Sequence, residues 1–155
     1  MIARVKLIAL CLLIAPAFAA DAFYLGNWKI ESAVVAPWWG RPGKPDAAEM
    51  NALTGKTIQF AAKSVSGPPP LTCRDPQYKV KDYTVDMLFE GGFGEMHERD
   101  RSVNESKVAE SVGFRGSKWK TLETGCANEL DFHFIDPDTA AFALNDYIYT
   151  LKRQH

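Results

Sequence analysis

A chain of 155 residues with 18 Lys+Arg against 19 Asp+Glu carries a formal net charge of −1, and its length is that of one domain. Charge this balanced and unclustered excludes a protein that binds nucleic acid or an anionic membrane surface by electrostatics.

The N-terminus has the layout of a cleavable export signal. Arg4 and Lys6 form a positive region, Leu7 to Ile14 is apolar, and Ala17-Phe18-Ala19 is a small-x-small cleavage site. Residues 1–19 are therefore expected to be a signal peptide and 20–155 one domain, with the product periplasmic or secreted. The apolar run is shorter than the roughly 20 residues a membrane-spanning helix needs. No second such run occurs, so no membrane span is expected. Losing Arg4 and Lys6 leaves 16 basic residues against 19 acidic ones, a mature charge of −3. The mature chain keeps Cys73 and Cys126. An even pair in an exported protein predicts one disulfide; without a Cys-x-x-Cys spacing, a redox or metal pair is the weaker alternative.

Residues 23–35 predict the first strand, with a twist or bulge near Gly26-Asn27. The three prolines and two glycines of residues 36–45 forbid regular structure, so Trp38 and Trp39 lie in a loop. Asp46 and Glu49 have the spacing of a capping box and Gly55 is placed to end the helix, which predicts a short helix over about 46–54. Residues 56–61 alternate as a half-buried strand until Ser66-Gly67-Pro68-Pro69-Pro70 stops it. Residues 78–83 predict a strand. Residues 87–90 fit a strand or one helical turn, ended by Gly91-Gly92, with His97 to Arg101 an exposed connector. Ser102 and Glu105 form a second capping box that opens a helix over about 102–112. The rest predicts strands at 118–123, 130–134, 141–144 and 147–152, with a turn at Asp136-Pro137-Asp138-Thr139 and a bulge at Asn145-Asp146.

Gly26-x-Trp28 on the first strand and the basic-ended last strand, residues 147–153, together resemble the lipocalin-like group of small antiparallel barrels. The resemblance implies that Gly26 and Trp28 sit at the closed end. It also implies that Lys152 or Arg153 packs across the tryptophan face as a cation–π pair. The two helices inside the strand series and the short chain depart from that pattern. The expectation is accordingly a mainly β fold, a partly open antiparallel barrel of six to eight strands with two short helices.

Trp38-Trp39 with Arg41 is the most suggestive surface feature. It either forms an aromatic lid over a barrel mouth or folds back to plug the barrel end, and burial of aromatic area favours folding back. Glu95, His97, Glu98 and Asp100 have no metal-ligand spacing and predict a solvated connector. Asp131 and His133 share one strand face opposite Leu130, Phe132 and Phe134. They could form an acid–base pair in a cavity, but polar residues of a half-buried strand usually face water. No Gly-x-Ser-x-Gly occurs, and Gly91-Gly92-Phe93-Gly94 leads into no Lys-Ser/Thr, so it predicts a bend and not a phosphate loop. The resulting expectation is a monomeric, non-catalytic binding protein without cofactor or metal. Its small apolar or lipid-like ligand lies among Phe60, Phe89, Phe132 and Phe142, with Trp38, Trp39 and Arg41 near the mouth. The alternative is a protein-binding module, such as an inhibitor of a cell-wall hydrolase. A third reading is an enzyme using Asp131 and His133.

Overall fold

A computed structural model describes residues 22–155. The expected signal peptide lies outside the described residues. Nine antiparallel strands form one sheet: β1 (Gly26–Val35), β2 (Thr57–Ala61), β3 (Ser64–Ser66), β4 (Cys73–Arg74), β5 (Lys79–Tyr83), β6 (Trp119–Glu123), β7 (Asp131–Asp136), β8 (Thr139–Leu144) and β9 (Tyr147–Gln154). Their order is β4-β3-β2-β1-β9-β8-β7-β6-β5. Nine strands exceed the six to eight expected. The additions are β3 and β4, too short to show an alternation of their own. Three α-helices interrupt the series, α1 (Ala48–Leu53), α2 (Leu88–Arg99) and α3 (Glu105–Ser111), with a 3-10 turn at Val85–Met87 leading into α2. None is long and apolar enough to cross a membrane.

The sheet is curled. Phe60 of β2 and Phe132 of β7 have three strands between them in the sheet, yet their rings meet edge to face at 4.8 Å. That contact requires the sheet to bend back on itself into a half-barrel. The inside of the curl is a dry core of Trp28, Ile30, Ile58, Phe60, Leu122, Phe132, Phe142, Tyr149 and Leu151. The two sheet edges, β4 and β5, do not pair. A Cys73–Cys126 disulfide (Cα–Cα 5.9 Å) and the Tyr78 hydroxyl, donating to Ala61 O (3.0 Å), tie the two sides together instead.

First and last strands meet along the middle of the sheet, with Trp28 opposite Arg153. Arg153, not Lys152, is the cation over Trp28, at 4.2 Å from the ring. Its Nη1 also donates to Leu25 O (2.9 Å) and its Nη2 to Phe23 O. Gly26 has φ +116, and a Cβ there would lie 3.6 Å from that guanidinium. That distance is ordinary contact, so it is the positive φ that calls for glycine here. Lys152 points the other way and donates to Thr139 Oγ1. The bulge on β1 falls between Ile30 and Ser32, not at Gly26-Asn27.

Both expected helices are present, but with different caps. Asp46 accepts from Ala48 N–H (2.9 Å) in a turn just before α1, whose cap residue is Ala47. Glu49 does not close a capping box: its carboxylate accepts from Tyr149 Oη at 3.1 Å, which ties α1 to β9. In α3 the cap is Asn104, whose Oδ1 accepts from Lys107 N–H (3.0 Å). Ser102 instead serves Asp100. The helix α2 was not legible in the sequence. With α3 it covers the convex face of the sheet, where Leu88, Phe89, Phe93, Ala109, Phe114, Trp119, Ala141 and Ile148 form a second core.

Candidate functional site

The site begins with the alternation of β7. Phe132 and Phe134 point into the curl, which sends Asp131 and His133 to the convex face. The sequence pattern assigns that face to water. The structure overturns this for His133, which is 1% exposed because α2 lies over it. The Phe89 backbone N–H donates to His133 Nε2 (3.0 Å). A backbone amide can only donate, so Nε2 carries no proton. The ring proton then sits on Nδ1, facing Thr121 Oγ1 at 2.8 Å. Protonating Nε2 would set two donors against each other in a dry environment. Burial accordingly pushes the imidazole down to about 3.

His133 pins an unusual backbone. Phe89 (φ 52), Glu90 (φ 57) and Gly91 (φ 83) take left-handed conformations in succession before α2 continues as an ordinary helix. Left-handed backbone costs about 1–2 kcal/mol for each residue with a Cβ, so Phe89 and Glu90 must be held there. The Phe89 ring is held between Phe93 (5.4 Å), Phe114 (5.3 Å) and the His133 ring (4.8 Å). Such strain is concentrated at functional sites, where it aims side chains the ordinary backbone would not.

Beside this turn is a cleft of about 320 Å3. Trp38 forms one wall. It folds back onto α2, 5.8 Å from Phe89 and 5.9 Å from Phe93. Gly92 makes room for it: a Cβ there would lie 2.9 Å from the Trp38 ring. Its polar lining is Asp131, Glu90 and Glu95, with the amides Asn128 and Asn145, beside apolar Phe89, Leu130 and Leu144. No lysine or arginine lines the cleft. Asp131 is half-buried. Burial, then the charges of Glu123 and Glu90, raise its carboxyl to about 6. The Tyr83 hydroxyl lies 2.8 Å from Glu123 and 3.3 Å from Asp131. It has one proton to give, and the shorter contact is to Glu123, which Lys81 also pairs at 2.7 Å. Asp131, Glu90 and Glu95 form no ion pair among the described residues.

The structure thus brings together Trp38, Phe89, Asp131 and His133 of the residues singled out in the sequence. It does not bring the others to them. Phe60, Phe132 and Phe142 lie inside the curl and pack on one another, and Phe142 stacks on Tyr149 at 4.9 Å. Trp39 and Arg41 stack on each other, with the guanidinium 4.9 Å over the ring. His97 donates from Nδ1 to Val103 O (2.9 Å), which closes the α2–α3 connection. Among the described residues no group of three or more histidine, cysteine or carboxylate side chains is placed to hold a metal ion.

The curled antiparallel sheet is compatible with a lipocalin-like barrel. No family model, curated protein or solved structure matches the chain.

Proposed function

We propose that the chain is an exported, non-catalytic, lipocalin-like protein whose small ligand binds in the cleft between Trp38 and Asp131. One observation carries the reading: two aromatic rings converge with half-buried carboxylate and amide groups in a concavity of about 320 Å3, within the size of small-molecule sites. Trp38 and Phe89 suit an apolar body. Asp131, with no committed donor, suits a hydrogen-bond-donating or cationic group on the ligand. The left-handed turn supports the reading too, because it sets Glu90 and Phe89 at the cleft and is fixed before any ligand arrives. Both nitrogens of His133 are engaged, which leaves the imidazole no free base and weighs against catalysis by an Asp131–His133 pair.

Native mass spectrometry of protein purified from its own export compartment tests this. A co-purified small molecule that is lost in Trp38→Ala, with the fold intact by circular dichroism, supports it. A bare protein whose tryptophan fluorescence no small molecule alters refutes it. A partner-binding role is favoured by a different feature: the half-exposed Trp39–Arg41 stack, a pairing of residue types that dominates protein interfaces. Pull-down with the Trp39→Ser, Arg41→Ser chain as control distinguishes that role.

A further inference from the structure

The opposite end of the β6–β7 pair carries a second concavity, of about 390 Å3, with inverted charge. Its floor is apolar. Phe134 and Trp119 are buried there, and Phe23, packed edge to face on Phe134 at 4.8 Å, is 42% exposed. Pro137 extends the same surface. An exposed phenylalanine over buried rings loses solvation free energy that an apolar partner would recover, at about 25 cal/mol per Å2 covered.

The rim is basic. Arg115, Lys118 and Lys120 line it together with a single carboxylate, Asp136. Lys120 is already paired with Asp82 at 2.7 Å. Asp136 turns its Oδ1 to the Asp138 N–H at 2.8 Å. Arg115 and Lys118 form no ion pair among the described residues. An apolar floor with two unpaired cations beside it is complementary to one ligand chemistry: an aliphatic chain ending in an anion.

We propose that this groove binds a free long-chain carboxylate. The chain lies across Phe23, Phe134 and Trp119, and the carboxylate accepts from Arg115 and Lys118. The groove is separate from the Trp38 cleft, so the two readings stand or fall independently.

The test uses 11-bromoundecanoate below its micelle concentration. Bromine quenches tryptophan at contact, so binding here darkens Trp119, and Trp119→Phe removes the effect. Dodecanoate should compete. Dodecyltrimethylammonium should not, and dodecanol should compete about tenfold more weakly, the loss of one charge-assisted contact. Arg115→Gln with Lys118→Gln, both exposed and outside either core, should weaken bromoundecanoate by at least about tenfold while leaving the melting temperature unchanged. Equal competition by dodecanol overturns the proposal, as does quenching that survives Trp119→Phe. Binding to vesicles of anionic phospholipid without binding to monomeric dodecanoate also overturns it, in favour of a membrane surface.

Discussion

Replacing His133 by glutamine should flatten the acid side of the stability curve. Imidazole in the unfolded chain takes its proton near 6.5, and in the folded chain only at about 3. Between those values the unfolded state binds more protons, so folding stability falls as pH falls, by about 1.4 kcal/mol per pH unit. From pH 6.5 to 4.5 the histidine alone removes roughly 2.3 kcal/mol. Asp131 acts in the opposite direction. Its carboxyl is raised to about 6 from 3.8, so its contribution is favourable at low pH and is lost as pH rises through 6. Because Asp131 is common to both proteins, the difference between them isolates the histidine. Glutamine keeps an acceptor for the Phe89 N–H but does not titrate. At pH 7 it should cost about 1–3 kcal/mol through the weakened Thr121 and Phe89 contacts. By pH 4.5 that gap should shrink by roughly 2.5 kcal/mol and close or invert. Urea unfolding followed by tryptophan fluorescence at half-unit pH steps measures it. Wild-type and variant curves that stay parallel from pH 6.5 to 4.5 would refute the neutral, amide-accepting histidine.

Gly92→Ala should expel Trp38 from its place on α2, costing about 1–3 kcal/mol by overpacking and red-shifting the tryptophan emission; an unshifted spectrum would mean that the ring is not seated there. Asp131→Asn should remove the wild-type loss of stability as pH rises through 6, read as a higher melting temperature at pH 7.5 but not at pH 4. Arg153→Ala should destabilise more than Lys152→Ala, since Arg153 carries the Trp28 contact and three carbonyls at 17% side-chain exposure; chemical denaturation ranks the two, and the reverse order would return the closing role to Lys152. Phe142→Ala should cost about 3–5 kcal/mol while leaving ligand affinity at the Trp38 cleft unchanged in titrations at a temperature where both proteins are folded.

The strands at the two ends of the chain were legible because each carries its own alternation, and Trp28 marks the pairing of first and last. The parity of β7 was equally legible. Which side of β7 meets water was not. That depends on α2, and α2 hides from a reading by periodicity. Its Gly91-Gly92-Phe93-Gly94 has the composition of a helix breaker. Two of those glycines are there for lack of room. The Trp38 ring presses on Gly92, and the Asp86 carbonyl oxygen would lie 3.2 Å from a Cβ at Gly94. A faint signal exists in β8, where Ala141 faces the convex side. An alanine at a buried strand position leaves space for a covering element, but nothing local says which segment fills it.

The same covering layer decides where a ligand can go. In a hollow barrel the interior is the site, and the phenylalanines of β2, β7 and β8 are natural candidates for its walls. Here the interior is closed by their own contacts: Phe60 on Phe132, Phe132 on Phe142, Phe142 on Tyr149. Opening it would forfeit several rings' worth of burial, each about 1.5–3 kcal/mol, which few small ligands could offset. Concavity survives instead at the ends of the β6–β7 pair. At one end Glu123 faces Asp131, beside the cleft walled by Asp131, Glu90 and Trp38. At the other Lys120 faces Phe134, beside Arg115 and Lys118. On both proposals recognition falls to the ends of the β6–β7 pair, one beside α2 and the other beside the α3–β6 connection.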